Sequence, residues 1–254
     1  VQRNRGPWAV ALIAVAALCA SCQQAESPRP VDPGTPAVSP SPTSPTPSPS
    51  PPIEAPTTQI DVGGHRVEAP EGTRAEAQDD GTVALTVPVS GPGALGFSLD
   101  TPADVVSGRL AGDGIWLTRP LAVTPSGSRN APFETEGNGF AVTPPEGATG
   151  LTLLAGTALV VESEWESSTR MFVYPSLLAR SLATGDPMGA TALAPDVMAE
   201  VIAAHPDRKD RLSTPSALNQ LACHLVGAPE KESWNLETER PDKGLVGFMV
   251  DRCN

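Results

Sequence analysis

Residues 27 to 56 read SPRPVDPGTPAVSPSPTSPTPSPSPPIEAP, and this tract decides how much of the chain can fold. Proline fixes φ and removes a backbone donor, while Ser and Thr add almost nothing to a hydrophobic core. A segment this poor in apolar side chains cannot bury enough surface to offset its ordering entropy. It is expected to stay extended, at about 3.1 Å per residue where it is polyproline-like, and to act as a stalk. Whatever folds begins near residue 57, and the roughly 200 residues that follow suffice for one or two domains.

Ahead of the tract, VQRNRGPWAVALIAVAALCASC has the form of an export signal. Arg3 and Arg5 give a basic start, Trp8 to Ala20 is almost wholly apolar, and small Ala20 and Ser21 precede Cys22. An apolar run of about 13 residues falls short of the ~20 that cross a bilayer as a permanent helix. The small residues before Cys22 resemble the lipobox of bacterial lipoproteins, in which cleavage leaves a diacylated cysteine at the new N-terminus. The usual Leu three residues before that cysteine is here Cys19, with Leu18 displaced by one. The resemblance implies a signal over residues 1–21, lipidation at Cys22 and a stalk over 22–56 that tethers the protein to a membrane outside the cytoplasm. Ordinary secretion after signal cleavage is the alternative.

Of the four cysteines, Cys19 leaves with the signal and Cys22 takes the lipid, so Cys223 and Cys253 remain. Two cysteines in an exported chain are expected to pair. Closing a loop of about 30 residues stabilises a fold by roughly 3–4 kcal/mol on the chain-entropy view. No CxxC or HxxxH spacing accompanies them, so neither a metal nor a cofactor site is expected. With 17 basic against 29 acidic residues the net charge is −12, and losing Arg3 and Arg5 makes it more negative still. Nucleic acid is therefore not an expected partner.

From residue 57 to 175, short apolar runs alternate with Gly, Pro, Asp and Asn. QIDVGGHRVEA reads as a hairpin about Gly63 and Gly64. TVALTVPV, ALGFSL, GIWLTRPLAV, GFAVTP, GLTLLAG, ALVVESEW and RMFVYP follow, each of strand length. This spacing predicts an antiparallel β-sandwich or barrel-like domain with Trp116, Trp165 and Phe172 in its core. GPGALG, residues 91–96, matches the G-x-G-x-x-G nucleotide fingerprint, but that loop must open a helix, and FSLDTP after it is strand-like. A turn is expected there.

Beyond residue 175 the period moves towards 3.6. APDVMAEVIAAHP places Val197, Met198, Val201 and Ile202 on one helical face. In the next helix Ser213 or Thr214 caps, Pro215 opens the first turn, and Leu218, Leu221, Ala222 and Leu225 share a face up to Gly227. SWNL and GLVGFMVDRC read as strands, the latter interior because both its faces are apolar. The expectation for 176–254 is a small disulfide-linked α+β domain, so the whole is α+β but mainly β.

The run CHLVGAPEKESWNLETERPDKGLVGFMVDRCN, with AEVIAAHPD and STPSALNQLA ahead of it, resembles the C-terminal signature of domain of unknown function 2599, a family of exported bacterial proteins. Cys223 followed by His224, Lys231, the SWNLE of Ser233 to Glu237, Arg240 with Pro241, and Cys253 with Asn254 carry the likeness. Where the family usually has Pro-Trp this chain has Thr238 and Glu239, which implies one aromatic contact fewer at that turn. The family brings no known activity, so the resemblance bears on architecture.

His224 is the natural general base in this stretch, and Glu237 or Glu239 could orient it. No G-x-S-x-G elbow supplies a nucleophile, and the nearby cysteine is expected to be oxidised. On a helical wheel His224 falls on the flank of the apolar stripe, where a surface histidine is the ordinary outcome. Trp234 is expected to cover the disulfide, with Glu237 and Arg240 paired locally. The candidate ligand-binding set is Trp234, Asn235, Arg240, His224 and Glu237, and no catalytic residue is assigned. These readings favour a membrane-anchored lipoprotein with a non-enzymatic binding or structural role, whose partner is a cell-wall polymer or an envelope protein. A hydrolase of cell-wall polymer is the alternative.

Overall fold

Gly63 and Gly64 turn the first hairpin, because both take positive φ, at 60° and 92°, where a side chain would be strained. They join β1 (Thr57–Val62) to β2 (His65–Pro70). The computed structural model describes residues 57–101, 104–106, 109–112 and 114–253. The signal, Cys22 and the Pro-rich tract lie outside the described residues. After the hairpin come β3 (Arg74–Ala77), β4 (Val83–Pro88), β5 (Leu95–Leu99), β6 (Asp104–Val106) and β7 (Arg109–Gly112). Then follow β8 (Ile115–Leu117), β9 (Leu121–Thr124), β10 (Gly127–Asn130), β11 (Phe133–Glu136), β12 (Gly139–Val142) and β13 (Gly150–Gly156).

These strands make two antiparallel sheets. One runs β1-β2-β5-β12-β11; the other runs β10-β9-β13-β8-β7-β6, with β4 also on β13 and β3 on β4. Alternation puts Val62, Val67, Phe97, Leu99, Phe140 and Val142 of the first against Leu85, Val87, Ile115, Leu117, Leu151 and Leu153 of the second in one shared core. The result is a sandwich, and Phe97 and Phe140, directly paired across strands, stack at 4.6 Å. GPGALG runs from a bend into β5 as expected.

GIWLTRPLAV is two strands, not one. Pro120 has no N–H to give a ladder, and the chain breaks between β8 and β9. Thr118 bridges the gap: its N–H donates to Leu154 O, and its Oγ1 accepts from Leu154 N–H, each at 2.9 Å. The strands Arg74–Ala77, Gly127–Asn130 and Phe133–Glu136 had no apolar alternation to announce them; the first two are exposed throughout.

The C-terminal part contains β14 (Val160–Trp165), β15 (Arg170–Pro175), α1 (Leu177–Ala183), α2 (Pro187–Ala204), α3 (Lys209–Leu212), α4 (Pro215–Gly227), β16 (Trp234–Glu237) and α5 (Gly244–Val250). The three strands pair in the order β14-β15-β16, so the two strands before residue 175 share their sheet with a strand far beyond it. Their core, including Met171, Val173, Leu178, Leu193, Val197, Leu221, Trp234 and Leu236, is separate from that of the sandwich. Thr214 caps α4 by accepting from Ala217 N–H, and Pro215 fills its first turn.

Three expectations need correction here. First, the helix expected from about Pro195 starts at Pro187, capped by Asp186 on Gly189 N–H. Burial of Ala190, Leu193 and Ala194 holds it through the proline. Second, GLVGFMV is helical. A short apolar run does not distinguish strand from helix, and the β16 edge of the sheet is taken by side chains of α4. Third, Trp116, Trp165 and Phe172 do not fill the sandwich. Trp116 and Trp165 are half-buried against the C-terminal core, and Phe172 is half-buried with Arg170 over its ring at 5.2 Å.

The described residues fall in one compact unit, Pro52–Asn254, and its two cores meet at a junction crossed by the Asp80–Leu177 and Arg119–Asp186 contacts. Leu154 and Trp116 on the outer face of the second sheet pack on the C-terminal core, and a Cβ at Gly156 would lie 3.0 Å from Leu178 Cδ2. Glu200 accepts from the N–H groups of Leu159 and Val160, at 2.9 Å each to Oε2, while Ser176 Oγ donates to Ala158 O. Burial raises the Glu200 carboxyl pKa despite those bonds. Asp80 accepts from Leu177 N–H; burial alone would raise its pKa, but bonds from Leu177 and Thr82 outweigh it and lower it.

Candidate functional site

The Cys223–Asp251 region is assembled by α4. Its residues Gln220 and His224, one turn apart, both reach the edge of β16 that β15 leaves free. Gln220 Oε1 accepts from Glu237 N–H and its Nε2 donates to Glu237 O, each at 2.9 Å. His224 Nε2 lies 3.0 Å from Asn235 O. A carbonyl can only accept, so Nε2 carries the proton and Nδ1 does not. Two side chains thus stand in for the missing next strand. This is why the GLVGFMV segment has no edge to join, and it folds instead as α5.

His224 is fully buried, which corrects its expected place on an exposed flank. Burial pushes its pKa down to about 4, against the bond to Asn235 O, and the charge of Lys231 adds to the effect. Nδ1 is buried without a partner, so the neutral ring is the form the fold accepts. No carboxylate bonds it, and neither Glu237 nor Glu239 is among its partners.

Trp234 is also fully buried, but in the helix and sheet core, where its Nε1–H donates to Ala228 O at 3.2 Å. The aromatic that joins Cys223 and Cys253 in one cluster is Phe248. The disulfide itself is formed, with Cα atoms 5.5 Å apart. Arg240 lies over the Phe248 ring at 5.2 Å, with Glu237 Oε2 at 3.9 Å and Asp251 Oδ2 at 3.5 Å. The Lys243 ammonium holds the Asp251 carboxyl below its ordinary pKa, and Arg240 helps. Of Trp234, Asn235, Arg240, His224 and Glu237, Trp234 and His224 present no surface to a ligand, Asn235 and Glu237 are half-buried, and Arg240 lies over Phe248 in a cluster separate from that of Trp234.

One Ser–His contact lies elsewhere. His205 Nε2 is 2.9 Å from Ser163 Oγ, beside Trp165, whose ring stacks under Arg208 at 4.8 Å. The same nitrogen is 3.1 Å from Ser163 O. Bonding to that carbonyl requires a proton on Nε2, which removes the lone pair a general base would need. Among the described residues no three His, Cys, Asp or Glu side chains gather where they could hold a metal ion. Nor is any helix there long and apolar enough to cross a membrane.

An open concavity lies at the junction of the two cores. A cleft of about 580 Å³ lies between the outer face of β9 and β13 and the end of α1 with the turn into α2. Its floor is aliphatic, from Leu121, Leu154 and Leu182, and its rim carries Thr118, Thr152, Thr184, Arg119, Asp186 and Glu230. Arg119 and Asp186 pair across it at 3.5 Å. Sequence reasoning missed these residues because they come from distant segments, and an exposed Leu or Thr on a sheet face gives no signal. For Gln220 a signal existed: its spacing of four from His224 on an otherwise apolar helix.

An antiparallel sandwich joined to a disulfide-stapled α+β unit with its own core is the class of protein that this architecture defines. The model of the family described as "Protein of unknown function (DUF2599)" matches residues 160–254, from the first residue of β14 onward. No curated protein and no solved structure matches the chain.

Proposed function

We propose that the chain is an extracytoplasmic lipoprotein, anchored through Cys22, whose role at the cell envelope is to bind rather than to catalyse. The junction cleft carries this reading: it is a preformed, mainly aliphatic concavity with a few polar groups, of a size usual for binding sites. The Cys223–Cys253 bond fits an oxidising compartment, and the acidic balance disfavours anionic partners. His224, the base that catalysis in the signature stretch would need, is spent on holding β16. The competing reading, a hydrolase of cell-wall polymer, needs His205 Nε2 to give up its bond to Ser163 O before it can act as a base on Ser163 Oγ, 2.9 Å away.

The test expresses the full chain in a host that lipidates exported proteins. Wild type is expected in the detergent phase, and Cys22→Ala in the aqueous phase or unprocessed. A soluble, unacylated wild type removes the anchor. Hydrolysis of isolated cell-wall polymer that disappears in Ser163→Ala establishes the hydrolase in its place.

A further inference from the structure

The cleft does not stop at its own rim. A second hollow of about 410 Å³ adjoins it, sharing Arg119 and Asn130 and continuing past Pro132 to Phe133. Two hollows that meet at the same two side chains make a groove, which suits a linear ligand. Asn130, which lines both hollows, is the last residue of β10, the terminal strand of its sheet, exposed in all four residues. A terminal strand presents backbone N–H and C=O groups outward, and an extended chain can bond to them as an added strand.

The lining selects among linear ligands. Leu121, 40% exposed, with Leu154 and Leu182 gives an aliphatic floor, and no aromatic ring lies among the described residues of the larger hollow. Sugar rings are held chiefly by stacking on aromatic faces, whereas aliphatic side chains fit such a floor by burial alone. The two carboxylates differ. Asp186 is occupied, with Oδ1 on Gly189 N–H and Oδ2 on Arg119. Glu230 takes only the Thr184 hydroxyl, at 3.0 Å, and no cation among the described residues pairs with it. An unpaired carboxylate at the end of an aliphatic groove, in an acidic protein, matches a basic group.

We propose that this groove binds an extended peptide segment of a partner protein, one with aliphatic side chains and a basic side chain that pairs with Glu230. The inference rests on the binding role proposed above and names its ligand. Fluorescence anisotropy of the full chain tests it with three labelled hexapeptide pools, each with Leu at alternate positions and Lys, Gln or Glu between. An N-acetylglucosamine hexamer is the fourth probe. The Lys pool is expected to bind best, and Glu230→Gln to weaken it about 2- to 5-fold, the range for an exposed ion pair, leaving the Gln pool unchanged. Leu121→Asn weakens every peptide pool, and Val246→Asn, on the exposed face of α5, weakens none. Peptide binding that ignores Leu121→Asn, or a Lys pool that ignores Glu230→Gln, overturns the assignment. Binding of the sugar hexamer alone, weakened by Leu121→Asn, overturns the peptide and keeps the cleft as a binding site; binding of no probe overturns both.

Discussion

The two halves of the molecule solve the same problem with different chemistry. In the sandwich, the buried polar residues are threonines, Thr73, Thr82, Thr118 and Thr124, and the core is an aliphatic layer with two stacked phenylalanines. In the second unit the buried polar residues are Ser176, Ser216, Gln220, His224 and Thr238, and a disulfide is added. In the sandwich sheet faces sheet, so alternation alone fixes what is inside. The second unit packs a three-stranded sheet against helices and holds the β16 edge and a short C-terminal helix by specific bonds. The disulfide adds to what the core of this unit supplies by constraining the unfolded chain.

The largest effect expected separates two packing sites within the second unit. Trp234→Ala and Phe248→Ala should each destabilise by about 3–5 kcal/mol, as removal of large buried aromatics does. Replacing Cys253 by Ser should cost about 2–5 kcal/mol. Phe248→Ala and Cys253→Ser share one cluster and should be non-additive by more than about 0.5 kcal/mol, whereas Trp234→Ala and Cys253→Ser should add within that margin. Denaturant unfolding of the single and double variants measures both. Strong coupling of Trp234 to the disulfide would merge the two sites and restore the packing that the sequence alone suggested.

How far each half could be read from sequence follows the same division. Strands whose inner residues alternate, such as Val83–Pro88 and Gly150–Gly156, were legible because burial on one face leaves a period of two. Polar edge strands such as Arg74–Ala77 bury nothing and left no trace. In the second unit, α4 was legible down to its cap at Thr214, since an N-cap and an apolar stripe are local. The disulfide followed from cysteine count and compartment. The helical state of Gly244–Val250 was not legible, because it depends on Gln220 and His224 having already occupied the β16 edge. The burial of Trp234 and His224 was not legible for the same reason, since the contacts that cover them come from packing that sequence spacing does not show.

The second prediction uses pH to isolate the edge lock. His224 titrates near its ordinary 6.5 when unfolded and at about 4 in the fold. Between these values the unfolded chain takes up a proton that the native state refuses, so stability falls as pH falls. The contribution is complete above about pH 6.5 and lost progressively down to about pH 4, a change on the order of 3 kcal/mol. His224→Gln should unfold with this part of the pH dependence removed. A variant with an unchanged slope between pH 6.5 and 4 would show that the ring is accessible in the native state. The sandwich has no buried histidine, and His65 lies beside Asp100 at 3.3 Å in a half-exposed site, so the slope belongs to the second unit.

The smallest effect compares one ladder-completing side chain from each half, Gln220 at the β16 edge and Thr118 between β8 and β9. Gln220 satisfies both backbone groups of Glu237, and Thr118 Oγ1 satisfies the N–H of Leu154. Gln220→Leu keeps the volume and strands two backbone groups, which should cost about 2–4 kcal/mol; Thr118→Val keeps the shape and strands one, for about 1–2 kcal/mol. The ratio of about two is the informative quantity, because shape changes little in either variant and the difference reports the number of unmet bonds. Equal costs would mean that water reaches the β16 edge once Gln220 is gone. In that case the edge is held open to solvent by packing, and the helix α5 owes its state to the disulfide and Phe248 rather than to an edge already filled.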